Sequence, residues 1–227
     1  MGDAYVRFFN EGYISKENFF NFGLKETIYA PYDKAEIEWN FLKNRIYGNE
    51  KVFIRGFGRD ANGTHLFQAL YKKLLSNHNV RKDSTNNAEP AKLIRSLTGY
   101  SKTQSSKFES IRNYQISHIF GRTKNVFAFT APWNIVYMPK MLDPFTGHEA
   151  KGEMIDEYTL LFQRQGYHRF EKLIDEFNEI MINPNFKEKV NEVLYSFHSN
   201  ETYSIKELKK LEEAINKEFS PIIVNQY

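Results

Sequence analysis

The chain has 227 residues, of which 41% are hydrophobic and 16% are aromatic. This length allows one large or two small domains, and the composition predicts a folded chain that buries a substantial core. Cysteine is absent, which excludes disulfides and the four-cysteine type of zinc site. Neither a membrane-span pattern nor a secretory signal pattern is visible, so we expect no membrane partner and a cytoplasmic location.

The net charge of +3 is unevenly distributed along the chain. Residues 1–151 carry 22 Lys and Arg against 14 Asp and Glu, whereas residues 152–227 carry 9 against 14. A basic first part is what binding to a phosphate backbone requires, although ordinary scatter of surface charge gives the same small excess.

The first half of the chain alternates between predicted helices, strands and polar segments. Residues 1–30 are rich in aromatic residues and are expected to be irregular, with core packing or a dimer contact favoured over base stacking. A helix is predicted from the cap-like pair Asp33 and Glu36 to Gly48, and a strand over residues 51–57. A further helix is predicted over residues 64–76. The shared faces of these two helices are predicted to be Ile37, Phe41, Leu42 and Ile46 in the first, and Leu66, Leu70 and Leu74 in the second.

Two polar segments follow, separated by a short predicted helix over residues 92–97 that Thr98-Gly99 ends. Residues 77–90 are polar and rich in turn formers, which predicts a surface loop or a subdomain boundary. Residues 100–107 (YSKTQSSK) predict a basic, flexible linker that is a candidate DNA-contacting segment.

Residues 111–151 place three polar side chains at regular intervals. A strand is predicted over residues 111–119, ending near His118, and a second strand begins at Asn134 and is limited by Pro139. Asp143-Pro144 predicts the start of a short helix that carries His148 on its second turn. The order is therefore His, Asn, His on a strand, a strand and a helix, with steps of 16 and 14 residues.

These residue types suit hydrolysis of a phosphodiester bond. His118 is the candidate general base, because imidazole takes up a proton near neutral pH. Asn134 is the candidate for holding that imidazole in one tautomer and orientation. His148 is the candidate ligand for a divalent cation, which neutralises charge on the scissile phosphate.

The segment resembles the HNH or ββα-metal nuclease motif, through His118, Asn134, His148 and the apolar pair Ile135-Val136. Members of that family usually have an aspartate metal ligand before the first histidine, and here that position is Ser117. The resemblance therefore leaves Ser117, Asp143 or Glu149 as the second ligand beside His148. Oxygen and nitrogen donors without cysteine favour Mg²⁺ or Mn²⁺.

The resemblance implies an α+β fold with a ββα-metal motif embedded in a mostly helical domain. Residues 1–107 would be a recognition or scaffold region, residues 108–152 the nuclease motif, and residues 153–227 a helical region. The implied activity is a metal-dependent endonuclease for double-stranded DNA, most concretely a small Type II restriction enzyme acting as a homodimer. The alternatives are a non-specific or RNA-directed nuclease effector, or a DNA-binding protein without chemistry. The candidate nucleic-acid contacts are Arg112, Arg122, Lys124 and Lys140.

After residue 151 the apolar residues keep helical spacing in three successive runs. The first run ends at Asn183-Pro184, the second includes Val190 and Phe197, and the third covers residues 205–219. These helices are expected to cover the fold or to pair two subunits.

Overall fold

A computed structural model describes residues 3–56, 63–146, 150–199 and 203–224. The fold is mixed helix and sheet and is mostly helical, as the sequence predicts. The helices are α1 (Ala4–Asn10), α2 (Lys16–Lys25), α3 (Tyr32–Tyr47), α4 (Thr64–Leu74), α5 (Ala88–Thr98), a 3₁₀ helix (Lys140–Thr146), α6 (Glu153–Ile182), α7 (Pro184–Ser199) and α8 (Ile205–Glu218). The strands are β1 (Ile28–Tyr29), β2 (Val52–Ile54), β3 (Val80–Lys82), β4 (Tyr100–Ser101), β5 (Glu109–Ser110), β6 (Tyr114–His118) and β7 (Ile135–Pro139).

The strands form three small sheets. β7 is the centre of a three-stranded sheet and pairs antiparallel with both β1 and β6. The pairs β2 with β3 and β4 with β5 are both parallel. In the β6–β7 pair, Tyr114 lies opposite Pro139 and His118 opposite Ile135. The two ends of this pair are therefore about 13 Å apart, given the usual rise per strand residue.

One hydrophobic core cluster takes residues from all three segments of the chain that the sequence distinguishes. Trp39 of α3 contacts Trp133 edge-on, with ring centroids 5.8 Å apart, and Trp133 in turn contacts Phe177 of α6 at 5.2 Å. Both tryptophans are fully buried. The three segments therefore pack around one common core, and the division of function among them stays a prediction.

The N-terminal predictions need two corrections. The first part of the chain is not irregular, because it contains α1 and α2. The residues before these helices, Asp3 and Ser15, accept backbone N–H groups with their side chains as N-caps. The buried face of α3 was also predicted wrongly. It consists of Ala35, Trp39, Leu42 and Ile46, whereas Ile37 and Phe41 are more than half exposed.

Further along, most helices are confirmed and three segments differ. The predicted flexible linker over residues 100–107 begins with β4, which pairs with β5 and has Ser101 buried. Residues 77–90 contain β3, which pairs with β2 across α4, so this polar segment is partly sheet. The helix predicted to begin at Asp143 is a 3₁₀ helix that begins at Lys140, directly after β7 ends at Pro139. The helix α4, the Gly99 cap of α5, and the break between α6 and α7 at Asn183 agree with prediction.

Among the residues that the structure describes, none of the helices has the length and apolar character needed to cross a membrane.

Candidate functional site

The candidate site lies where β6 ends. His118 is the last residue of β6 and is half-buried. The next residue, Ile119, donates its backbone N–H to the carbonyl of Asn134 at 2.9 Å, which extends the pairing with β7 by one bond. Residues 119–134 thus connect two paired strands, and they are called the His118 loop below.

The imidazole of His118 is held by the His118 loop. Its Nε2 lies 2.9 Å from the carbonyl oxygen of Phe129, and the two rings stack with centroids 5.4 Å apart and planes 16° apart. A carbonyl only accepts a hydrogen bond, so Nε2 donates and the neutral ring keeps its lone pair on Nδ1. The geometry therefore selects one tautomer.

Asn134 is fully buried and makes three hydrogen bonds to backbone groups of the His118 loop. Its Oδ1 accepts the N–H of Phe120 at 2.9 Å, and its Nδ2 donates to the carbonyls of Gly121 at 2.9 Å and Ala128 at 3.0 Å. The sequence interpretation assigned the orientation of the imidazole directly to this amide. The structure assigns that contact to the Phe129 carbonyl, and Asn134 instead fixes the loop that presents it.

Helices hold the outer side of the same loop. Tyr71 of α4 donates its hydroxyl to the Lys124 carbonyl at 2.8 Å and accepts the Val126 N–H at 3.1 Å. On α6, Gln163 donates its side-chain amide to the Ile119 carbonyl at 3.3 Å. A Cβ added at Gly166 would meet Ile119 Cδ1 at 2.9 Å, so α6 approaches the end of β6 closely because that position is glycine.

The proposed metal ligands are not brought together by the described part of the chain. Ser117 is 5% exposed, and because strand side chains alternate, it faces the side of the sheet opposite to His118. Asp143 lies in the 3₁₀ helix after the far end of β7, and both His148 and Glu149 lie outside the described residues. Across residues 3–56, 63–146, 150–199 and 203–224, no three His, Cys, Asp or Glu side chains form a group able to hold a metal ion. Within these ranges Ser117 and Asp143 do not form a metal site by themselves, and the metal site that includes His148 stays a prediction.

The four candidate nucleic-acid contacts divide into two pairs. Lys124 is only 8% exposed, with its ammonium 5.8 Å from the centre of the Phe67 ring, so it is not a surface contact as predicted. Arg122 is half-buried, and burial lowers the pKa of its guanidinium while the charge of Glu218 opposes that shift. Arg112 and Lys140 are exposed and flank the Tyr114–Pro139 end of the strand pair.

Comparison with known proteins gives a family. A family model described as "Uncharacterised protein PM1201" matches residues 30–224. "Uncharacterized protein PM1201" of Pasteurella multocida (strain Pm70) is 41% identical over 230 residues, covering 97% of each chain. The chain belongs to the PM1201 family. No solved structure matches this PM1201-family chain.

Sequence reasoning missed two groups of the site in this PM1201-family chain, the Phe129 carbonyl and the buried carboxylate of Glu218. Oε2 of Glu218 accepts the backbone N–H groups of Lys124 at 3.0 Å and Asn125 at 3.1 Å. A backbone carbonyl carries no sequence signal. Glu218 was hidden because it ends an amphipathic helix whose other glutamates are mostly solvated. Its one local signal is its place beside the apolar Phe219.

Proposed function

We propose that this chain is an endonuclease that hydrolyses phosphodiester bonds of double-stranded DNA, with His118 as the general base. The observation that carries the proposal is the position of His118 at the end of an antiparallel strand pair, with its Nε2 held 2.9 Å from the Phe129 carbonyl oxygen. The resemblance of the surrounding residues to the HNH motif supplies the reaction class. Sequence-specific restriction, by a homodimer on a two-fold site, is the form of the activity that we propose.

The chemistry assigned to His118 follows from its tautomer. The lone pair on Nδ1 takes a proton from water as that water attacks the phosphorus atom. The imidazolium formed in this step keeps its Nε2–H bond to the Phe129 carbonyl, which is stronger once the donor is charged. Phe129 therefore contributes both orientation and charge stabilisation to the base.

A surface rich in cations lies at the other end of the strand pair and suits the DNA backbone. Arg112 and Lys140 are exposed there. Phe108, the residue before β5, has the half-buried Arg95 at 5.3 Å and the exposed Lys107 at 5.6 Å from the centre of its ring. These residues include part of the 100–107 segment that the sequence singles out. Arg and Lys side chains beside an aromatic ring are groups that contact phosphates and stack on nucleic acid.

Replacing Arg112 and Lys140 together by glutamine tests this surface. We expect weaker DNA binding and a salt dependence whose log–log slope is less steep by about 2, because two phosphate contacts and their released counterions are lost. Fluorescence anisotropy between low and physiological salt measures this slope. The matched control is Lys206→Gln with Lys209→Gln, which removes two exposed cations of α8. Equal slopes for the two double variants would show that the proposed surface does not bind DNA.

Plasmid cleavage with and without divalent metal tests the activity itself. We expect discrete fragments with Mg²⁺ or Mn²⁺ and none with excess chelator, because the HNH resemblance implies a metal-dependent reaction. Gel electrophoresis of supercoiled plasmid reads both results. A smear, or cleavage of RNA in preference to DNA, would replace restriction by a less selective nuclease effector. Full activity in chelator would instead indicate hydrolysis without a metal.

The second candidate is a DNA-binding protein without chemistry. One observation favours it: in the described ranges, no three His, Cys, Asp or Glu side chains form a group that could hold a metal ion. Tight binding of plasmid without cleavage in any metal, at protein concentrations above the dissociation constant, would select this candidate. Sedimentation analysis of the free protein and of its DNA complex tests the proposed homodimer.

A further inference from the structure

Glu218 places a buried carboxylate against the His118 loop. It is the last residue of α8 and is 8% exposed. Besides the two N–H groups that its Oε2 accepts, its backbone carbonyl accepts Nδ2 of Asn125 at 2.8 Å. Three bonds therefore join one residue of α8 to two consecutive residues of the loop.

From Asn125, hydrogen bonds continue to the group that holds His118. The Asn125 side-chain oxygen accepts the N–H of Phe127 at 2.9 Å, and its backbone carbonyl accepts the N–H groups of Ala128 at 3.0 Å and Phe129 at 2.9 Å. Phe129 then accepts Nε2 of His118 through its own carbonyl. Glu218 and His118 are thus joined by an unbroken series of short hydrogen bonds across the loop.

A buried carboxylate lowers the stability of the fold unless hydrogen bonds and opposite charges compensate for its lost hydration. Burial raises the pKa of the Glu218 carboxyl above its ordinary value. The Lys124 N–H, the charges of Lys124 and Arg122, and the Asn125 N–H oppose this rise without cancelling it. An apolar residue of similar volume is often as stable in such a position as a buried ion pair. A carboxylate, in contrast, accepts two backbone N–H groups at once and fixes their direction.

We propose that Glu218 is a positioning residue for His118. By fixing the amides of Lys124 and Asn125, it sets the place of the Phe129 carbonyl and hence the tautomer and direction of the imidazole. Under this proposal, α8 helps to orient the general base, although Glu218 is 94 residues from Lys124 in sequence. Its importance for cleavage rests on the proposed function, whereas its effect on the imidazole does not.

Three substitutions separate this role from simple packing. Glu218→Gln keeps an oxygen acceptor for the amides, Glu218→Met keeps the volume but removes the acceptor, and Glu218→Asp keeps the charge but withdraws it by one methylene. Glu213→Ala is the matched control, because Glu213 is an exposed glutamate of the same helix. Thermal unfolding of each variant establishes that it is folded at the temperature of measurement.

The principal readout is the ¹⁵N spectrum of the His118 ring in the neutral state. The wild type, Glu213→Ala and Glu218→Gln should show the Nε2–H tautomer alone, whereas Glu218→Met and Glu218→Asp should show a mixture of tautomers. If the wild type cleaves DNA, kcat of these two variants should fall by roughly 10- to 100-fold, because a misplaced catalytic group loses about this much. KM for DNA should be unchanged.

The outcomes distinguish the two proposals. A single Nε2–H tautomer in folded Glu218→Met would overturn the positioning role, whether or not the protein cleaves DNA. If Glu218→Met does not fold, the same result in Glu218→Asp would overturn it. A wild type that never cleaves DNA, together with mixed tautomers in the variants, would establish the positioning role and reject the nuclease.

Discussion

His118→Ala should reduce DNA cleavage by roughly 10²- to 10⁴-fold, which is the usual contribution of a general base. The loss should appear in kcat, since a proton acceptor acts in the transition state and contributes little to ground-state binding. Folding should change little, because the ring is only half-buried and its hydrogen bond to the Phe129 carbonyl is worth about 1 kcal/mol. Single-turnover cleavage with enzyme in excess, beside anisotropy for DNA affinity, separates the two quantities.

The matched control is His168→Ala, because His168 is an exposed histidine on α6. Its cleavage rate should equal that of the wild type. If His118→Ala keeps more than about a tenth of the wild-type rate, far above the range expected for a lost base, His118 is not the base. The nuclease proposal would then lose the observation on which it depends.

Asn134→Ala should lower the free energy of unfolding by about 3–5 kcal/mol. The substitution removes all three hydrogen bonds that the buried amide makes, and it leaves the Phe120 N–H and the carbonyls of Gly121 and Ala128 without this partner. Buried polar groups that lose their partner cost more than the net value of the bond itself. Urea unfolding followed by circular dichroism measures the change.

Asn40→Ala provides the comparison, because Asn40 is exposed on α3. We expect it to change the free energy of unfolding by less than about 0.5 kcal/mol, as most surface substitutions do. A loss below about 1 kcal/mol for Asn134→Ala would mean that the amide does not hold the His118 loop in solution.

The sequence predicts the strand that ends at His118 because the β-branched and aromatic residues before Gly121 are a local signal. The helix α4 is also predictable from a local signal, because Leu66, Leu70 and Leu74 recur at helical spacing. All three are buried. Local patterns of this kind need no knowledge of the partner element. The corresponding predictions are confirmed.

The failed predictions depended on partners distant in sequence. Apolar residues occur on two faces of α3, and the packing of α6 and Trp133 decides that Trp39 is buried and Phe41 is not. The sequence around Lys124 is typical of an exposed cationic turn. In the fold, however, the backbone N–H of Lys124 bonds to Glu218 and its ammonium packs on Phe67, so the residue is buried. β3 carries the exposed charges Arg81 and Lys82, so its pairing with β2 leaves no alternating apolar pattern.

The anchoring of the His118 loop also determines when the site can form during folding. Its contacts join Tyr71 of α4, Gln163 of α6 and Glu218 of α8, so the sequence separations reach 94 residues. Contacts of such long range form only after the chain has closed large loops, and they form late unless they belong to the folding nucleus. A partly folded chain with β6 and β7 paired but α8 undocked would have His118 without its fixed tautomer. Any hydrolytic activity of the protein would therefore be confined to the completely folded molecule.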